Sequence, residues 1–312
     1  MSSAKDDFLN RINSLHKSIH SESVTNRIPT PENSEHNAIA KILRNGLAVV
    51  SFAALEDFIK QRSSEVMSVI GTTTVPFSSL PEKLQNASTY EAVKALSFQL
   101  QQREKTDKTP YIQHHASKIA STTTSSFALS EHTFGYDQSN VTSETIKKTL
   151  ACMNVNNPWL QMTRIASRLS LTGLPLEETF RSASKRRHRA AHVAAADTPQ
   201  SDIQQFVLEA FAIAIAFDLL ISKALSKLSS GEANYLNGTA KVNAEDLSFR
   251  TVKFVQSDGY WKEFREGTQR ARKRGLSVDD VGPTAQLRAQ ANSEAYIEYR
   301  ADGIISRWSY TI

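Results

Sequence analysis

The stretch FVLEAFAIAIAFDLLI, residues 206–221, is the most apolar part of the chain and decides the class of fold. It carries only two charged side chains, Glu209 and Asp218. A membrane-spanning helix needs roughly 20 mostly apolar residues, so this stretch is too short and too charged for one. A helix that is apolar all round is buried among other elements instead. We therefore expect residues 206–221 to form a buried core helix.

A second long helix is expected over residues 36–70. Its apolar residues recur three and four positions apart, from Ile39 and Ile42 through Val50 to Phe58. This spacing places them along one side of a helix, where they would form a single buried stripe. The fold is thus predicted to contain at least two long helices that pack on each other.

Shorter helices are predicted from caps and prolines. The segments Ser88–Glu91 and Ser201–Gln204 match capping boxes, in which two side chains satisfy free amides at a helix start. Pro158 and Pro175 stand where prolines are favoured, at the first turn of a helix. Besides the helix at 36–70, the predicted helices cover residues 5–20, 88–104, 143–153, 158–169 and 201–228. Short helical pieces and loops are expected at 106–142.

The pattern changes after residue 229. A strand is expected at 248–255, a charged helix at Trp261–Arg274, and two strands at 295–299 and 304–310. The Asp-Gly step within Arg300–Gly303 indicates a hairpin between the last two strands.

The predicted fold class is mainly α, a helical bundle with a small C-terminal α/β appendage. Its parts are an N-terminal helix and linker (1–35), a helical domain (36–229) and the appendage (240–312).

Composition narrows the class of protein further. The net charge is +5 over 312 residues, and basic residues concentrate at 185–189 and 265–274, so an anionic partner is plausible. Cys152 is the single cysteine, which excludes an intrachain disulfide and a cysteine-based zinc site. No apolar run follows the charges at the N-terminus, so no secretory signal is expected and the cytoplasm is the expected location.

One segment could carry chemistry, namely Lys185-Arg-Arg-His-Arg-Ala-Ala-His192. Arginine offers a planar fork of donors that suits a phosphate, and histidine exchanges protons near neutral pH. Arg187 and His192 together could cleave RNA without a metal, by attack of the 2′-hydroxyl on the adjacent phosphorus. The alternative is a basic helix terminus whose charges face solvent and complement the helix dipole.

Geometry restricts the catalytic interpretation. Five residues turn about 500° along an α-helix, so Arg187 and His192 on one helix would point about 140° apart. The two side chains can converge only if the helix breaks between them or if a second chain completes the site. A two-fold dimer would bring the same segment of both chains face to face.

The sequence resembles a known family at these residues. Arg187-His-Arg-Ala-Ala-His192 looks like the Arg-x4–6-His signature of HEPN domains (higher eukaryotes and prokaryotes nucleotide-binding). The segment Ile42–Phe58 is similar to the long early helix of that family. Within the family, the chain most resembles the bacterial RNase-L-like HEPN group, and the resemblance covers roughly residues 36–228.

The resemblance implies a helical bundle, a homodimer and a composite site in the dimer cleft. It also implies metal-independent endoribonuclease activity, often in toxin–antitoxin or antiviral defence, with an antitoxin or regulatory protein as a possible partner. Arg187 would contact the scissile phosphate and His192 would be the acid–base residue, with His188 beside them in the catalytic group. Family members often carry a carboxylate in the long helix, which points to Glu56 as a supporting residue. The alternative for Glu56 is a solvent-facing acid pair with Asp57.

Other basic residues are candidates for RNA binding. Lys185, Arg186 and Arg189 flank the catalytic pair and would attract a polyanion. In the appendage, Arg270 and Arg272 follow the aromatic residues Tyr260 and Trp261, a combination that can hold phosphates and stacked bases. A solvated helix face with Trp261 and Phe264 in a small core explains the same pattern.

No metal or cofactor is expected. His16 and His20 are four residues apart and could share a helix face, but no third ligand is apparent. His114 and His115 are adjacent, and adjacent side chains on a regular element diverge.

Two functions are therefore compared. The first is a metal-independent ribonuclease of HEPN type, and the second is a non-catalytic dimeric module that binds RNA or protein. No membrane partner is expected for either.

Overall fold

The computed structural model of the protein describes residues 2–311. Most of this chain is helical, which confirms the predicted fold class. The helices of the described chain are, in order, α1 (Ser3–Ser18), α2 (Ser34–Ile70), α3 (Glu82–Asn86), α4 (Ala92–Gln101), α5 (Lys105–Ser121), α6 (Ser143–Cys152), α7 (Pro158–Arg168), α8 (Leu176–His192), α9 (Gln200–Ser229), α10 (Ala233–Leu236) and α11 (Val278–Ala291).

The C-terminal appendage is a five-stranded sheet with one helix on it. Its strands are β1 (Phe249–Val255), β2 (Tyr260–Arg265), β3 (Lys273–Gly275), β4 (Ala295–Tyr299) and β5 (Ile305–Ser309). The strand order is β3-β2-β1-β4-β5, and only the β1–β4 pair is parallel. Helix α11 connects β3 to β4. The predicted hairpin is present between β4 and β5, where Gly303 has a positive φ of 85°.

Helix α9 forms the centre of the helical domain, as its sequence predicts. Alanines alternate with larger apolar residues over 210–217, and every one of these residues is buried. The small side chains let α2 and α7 pack closely against α9. By length and composition, Pro31–Ile70 and Gln200–Ser229 would both be able to span a membrane, yet 83% of the apolar window in α9 is buried inside the protein. The apolar side chains of α9 thus form part of the hydrophobic core.

A buried carboxylate joins four separate elements. Asp218 of α9 is fully buried and accepts hydrogen bonds from Arg62 Nε of α2 (2.5 Å) and Trp308 Nε1 of β5 (2.8 Å). Lys5 Nζ of α1 lies 3.3 Å from Oδ2, the same oxygen that accepts from Trp308. Burial alone would raise the pKa of Asp218, but the charges of Arg62 and Lys5 outweigh burial and hold that pKa well below its usual range.

The appendage shares its hydrophobic core with the helical domain. Phe249, Ile297 and Trp308 are buried in the same cluster as the aromatic side chains of α1 and α2, and Trp308 packs edge-on against Phe8 and Phe58. A second, smaller cluster lies between the sheet and α11. The β4–β5 half of the sheet is therefore covered by the helices.

The predicted charged helix at Trp261–Arg274 is wrong. Residues 260–265 form β2 instead, and a loop leads to the short strand β3. Asp258-Gly259, where Gly259 has a φ of +72°, makes the turn that pairs β2 with β1. Side chains of β2 alternate between the two faces of the sheet, and this alternation prevails over the charge pattern. The helix of the appendage is α11, which begins with a capping box at Ser277.

Neither predicted capping box forms. Ser88 lies inside a helical stretch that begins at Glu82, and its hydroxyl donates to Leu84 O. Helix α9 starts at Gln200, directly after Pro199, without a side-chain cap. Both helices therefore begin just after a proline, which favours a helix start because its φ is already fixed.

The region 106–142 is more regular than the sequence indicates. Helix α5 runs without interruption over Lys105–Ser121, although Pro110 lies within it. Proline removes one backbone donor, and at the sixth position of the helix this loss stays near the start. The prediction of only short helical pieces was wrong for this half of the region.

The apolar stripe of α2 is buried only in its second half. In the first half Ile39, Ile42 and Val50 are 50%, 69% and 65% exposed. Arg44 instead faces inward, where it is 3% exposed and donates to Thr198 O and Val24 O. The prediction of one continuous buried stripe was wrong, because Ala40 and Arg44 occupy the inward side of α2 here and the apolar stripe faces outward.

Replacing Asp218 by Asn should strongly destabilise the protein. The change leaves Arg62 and Lys5 without their buried counterion, and such a loss costs about 3 to 5 kcal/mol. Urea unfolding at pH 7 measures the free energy of unfolding. Asp57→Asn is the control, because Asp57 pairs with Arg11 at the surface and its loss should cost about 1 kcal/mol or less.

The pH dependence of this difference has a defined sign. A carboxylate whose pKa is depressed in the folded state stabilises the fold above the pKa of the unfolded chain, about 3.9, and this contribution is lost as pH falls. The difference in the free energy of unfolding between wild type and Asp218→Asn should therefore have its whole value at pH 7 and decrease in acid below pH 4. A difference that stays constant into strong acid would contradict this account.

Candidate active site

The basic segment forms the last two turns of α8. The helix begins after Pro175 with acidic residues in its first turn, and it buries Phe180 and Ala183 against its neighbours. Positive charge near the C-terminus of a helix and negative charge near its N-terminus both interact favourably with the helix dipole. Helix α8 continues without a break to His192, the position of the second predicted catalytic residue.

Arg187 lies on the inner side of α8 and is partly buried. Its Nη2 donates a long hydrogen bond of 3.4 Å to Asn140 Oδ1. Its Nε is buried and has no hydrogen-bond partner within residues 2–311. A buried N–H without a partner is costly, so the guanidinium still has a donor to offer a ligand.

Glu56 lies close to Arg187. It is only 7% exposed, and the backbone N–H of Val141 donates to its Oε1 at 2.7 Å. Burial raises the pKa of Glu56, while this hydrogen bond and the charge of Arg187 act against the rise. The solvent-facing alternative therefore does not hold for Glu56. It does hold for Asp57, which pairs at the surface with Arg11.

A short loop before α6 connects these charged groups. Ser139 O accepts a hydrogen bond from Lys60 Nζ at 3.0 Å, and the next two residues, Asn140 and Val141, contact Arg187 and Glu56. Burial lowers the pKa of Lys60. Sequence reasoning missed Lys60 and Asn140, because neither belongs to a recognisable motif. The spacing of four between Glu56 and Lys60 on one helix was the only available signal.

His192 lies on a different side of α8. Its ring lies beside that of His188 at an interplanar angle of 47°, with centroids 4.6 Å apart, and both side chains are exposed. Lys185 and Arg189 lie on the same exposed face, which is therefore strongly basic. The continuous helix keeps His192 about 140° away from Arg187, so the two residues do not converge within one chain.

The other predicted RNA-binding residues, Arg186, Arg270 and Arg272, do not lie together on one surface. Arg186 turns inward and forms an ion pair with Glu209. Burial raises the pKa of Glu209, and the charge of Arg186 opposes that rise. Arg270 and Arg272 are exposed on the loop between β2 and β3, in the appendage rather than beside α8.

One group of side chains has the composition of a metal site. His114, His115 and Glu131 place their ligand atoms within 4.8 Å of one another, although the two histidines are adjacent on α5. Lys118 forms an ion pair with Glu131 and brings a positive charge to the same place, which opposes cation binding. We assign no metal to this group.

Comparison with known proteins agrees with the geometry. The sequence profile of the RiboL-PSP-HEPN family matches residues 6–223, well over half of the chain. The match begins within α1 and ends within the last part of α9, so the sheet and α11 lie outside it. Comparison with curated proteins gives no significant match, and comparison with solved structures gives none either.

The matched region contains Glu56, Asn140 and the whole Arg187–His192 signature. The chain therefore belongs to the RiboL-PSP-HEPN family, and its helical domain is a nuclease-like or RNA-related HEPN domain.

Proposed function

We propose that this protein is a metal-independent endoribonuclease that acts as a homodimer. The observation that carries the proposal is the state of Arg187, which is held beside Glu56 with a buried Nε donor left without a partner in residues 2–311. A phosphate oxygen would satisfy that donor. The Arg-x4-His signature then supplies the proton carrier, His192, on the same helix.

The chemistry follows from these side chains. His192 would accept the proton of the RNA 2′-hydroxyl as its oxygen attacks the adjacent phosphorus. Arg187 would stabilise the negative charge that develops on the phosphoryl oxygens. The bond from phosphorus to the 5′-oxygen then breaks, and a second proton is delivered to that oxygen. His188, whose ring lies beside that of His192, would deliver it.

A homodimer solves the geometric problem of α8. Arg187 and His192 of one chain point apart, but a two-fold axis beside α8 would bring Arg187 of one protomer toward His192 of the other. The exposed half of the α2 stripe supports this arrangement, because Ile39, Ile42 and Val50 form an apolar surface on the helix that packs against α8. Contiguous exposed apolar surface commonly marks a protein interface.

The biological setting is proposed from the resemblance of the signature. HEPN ribonucleases often act in toxin–antitoxin or antiphage defence, and we propose such a role in the cytoplasm, with an antitoxin or regulatory protein as a partner. Substrate RNA would be drawn to the exposed basic face of α8, formed by Lys185, His188, Arg189 and His192.

A non-catalytic dimeric module that binds RNA or protein is the second candidate. It is favoured by one observation, namely that Arg187 and His192 do not meet within a single chain. The same apolar surface on α2 would serve its dimerisation, so only measurement of RNA cleavage separates the two functions.

Arg187→Ala and His192→Ala should each abolish RNA cleavage. Purified protein is incubated with labelled RNA in excess chelator, and cleavage is expected to fall by about 100-fold or more in each variant. Arg181→Ala is a control on the same helix, since Arg181 pairs with Glu177 at the surface. Exposed His20 serves as the matched histidine control.

Two results would end the catalytic proposal. RNA that stays intact with the wild-type protein would favour the non-catalytic module. Cleavage that survives both substitutions would show that another site, or a contaminant, is responsible.

A mixture of the two single variants should recover part of the activity. If each site takes Arg187 from one protomer and His192 from the other, a heterodimer retains one intact site out of two. Cleavage is measured after subunit exchange, which is followed by energy transfer between labelled protomers. No recovery despite complete exchange would rule out the shared site.

The double substitution Ile42→Asp and Val50→Asp should produce a monomer. Two charges in an apolar interface carry a large desolvation penalty, so the dimer should dissociate and cleavage should be lost with it. Light scattering coupled to size exclusion gives the mass. Leu287→Asp, a 66% exposed position on α11, should leave the mass unchanged. A wild-type protein that is already monomeric at assay concentrations would refute this interface.

A further inference from the structure

The sheet has one covered face and one partly open face. Helix α11 packs on the first face, against Val252 of β1 and Trp261 of β2. Because side chains alternate along a strand, Lys253 of β1 and Lys262 of β2 lie on the opposite face. There the helical domain covers β4 and β5, and the β1–β2–β3 half stays accessible.

A row of three cations crosses this accessible half. Lys253 pairs directly with Lys262 in the register of β1 and β2, and Lys262 pairs directly with Arg274 in the register of β2 and β3. Like charges placed directly opposite on neighbouring strands destabilise a sheet. Within residues 2–311, Asp258 pairs with Lys262, whereas Lys253 and Arg274 have no carboxylate within 4.0 Å. The arrangement becomes favourable when an anion binds across the row.

Aromatic side chains flank the cations on the same face. Phe264 and Tyr260 lie on β2 on either side of Lys262, two residues away in each direction. The amine of Lys253 lies 5.1 Å from the ring centre of Phe264, and the guanidinium of Arg274 lies 5.2 Å from that of Tyr260. Both rings are only partly buried, so part of their surface is available to a ligand.

The face continues into a cleft at the junction with the helical domain. This cleft has a volume of about 660 Å³, a size suited to a small organic group such as a nucleotide. Phe264, Thr251 and Lys253 form its sheet side, while Arg168 and Tyr299 are among the residues that close it. The loop between β2 and β3, whose residues 266–269 also line the cleft, extends the positive charge with the exposed Arg270 and Arg272.

We propose that the β1–β2–β3 face binds single-stranded RNA. Phosphates would lie along the row of Lys253, Lys262 and Arg274, while bases would stack on Phe264 and Tyr260. The combination favours nucleic acid over an acidic peptide, since a peptide would use the charges and leave both rings without a stacking partner. The choice of RNA rests on the proposed ribonuclease function.

Most of helix α8 lies along the chain between the cleft and the α8 signature. The cleft is lined by residues 168–171, which lead into the start of α8, and His192 is at the far end of α8. That helix is about 24 Å long. A strand with bases about 3.4 Å apart would need about seven nucleotides to cover this length. The appendage would thus hold RNA at a distance from the cleavage point.

The experiment measures RNA binding apart from cleavage. Fluorescence anisotropy follows a labelled 15-nucleotide RNA that is titrated with full-length protein carrying Arg187→Ala and His192→Ala, so that the probe stays intact. In this background Lys253→Ala with Arg274→Ala should raise the dissociation constant by roughly tenfold or more. The matched control, Lys17→Ala with Lys108→Ala, removes the same charge from exposed positions elsewhere.

Two further measurements test how the RNA is bound. The slope of log K against log salt should decrease by about 1.4 in the Lys253 and Arg274 variant, since each lost phosphate contact to a single strand contributes about 0.7. Phe264→Leu keeps an apolar side chain but removes the ring, and it should weaken binding by roughly tenfold with little change in this slope.

The outcomes separate this proposal from the ribonuclease assignment. Equal binding by the control and the Lys253 and Arg274 variant overturns the RNA face, whether or not the wild type cleaves RNA. Face variants that lose binding, in a protein that never cleaves RNA, support the face and refute only the catalytic claim. Capture of a labelled poly-glutamate peptide in place of RNA would overturn the proposal in favour of an acidic partner.

Discussion

The charge of Asp218 at the centre of the core is the interaction on which the rest of the structure depends. One carboxylate accepts a donor from α2 and another from β5, and it also pairs with the amine of α1. The first and last segments of the chain are therefore fastened to the same point of α9. The appendage is held there and also through a common apolar core, so it is packed as part of one body with the helical domain.

A rigid helix decides how the candidate site can work. Helix α8 presents Arg187 toward Glu56 and presents His192 to solvent, and nothing in its backbone lets the two approach. The same rigidity that prevents a site within one chain gives a fixed orientation to whatever completes it. A second copy is the partner that we propose, because the adjoining half of α2 leaves apolar side chains uncovered.

Long elements with strong periodicity could be predicted from the sequence, and short ones with mixed signals could not. The buried helix α9 and the hairpin at Gly303 follow from local chemistry alone. The structure of residues 261–274 could not be predicted in this way. Their many charges do not show the alternation of side chains that pairing with β1 imposes. In the site, the signature identified Arg187 and His192. Asn140 was beyond reach, since its contact with Arg187 spans 47 residues of intervening chain.

The loop at residues 139–141 has a consequence for how this protein can vary. Three successive residues each meet a different charged group, so their order along the chain is as important as their identity. Two of the three contacts use backbone atoms, the carbonyl of Ser139 and the N–H of Val141, and the second would be lost only with proline. Substitutions at the exposed Ser139 are therefore tolerable, whereas Val141 must stay apolar because its side chain is buried in the core. A one-residue insertion or deletion before α6 would shift every contact at once. The length of the chain is therefore constrained in this segment together with the side chain at Val141.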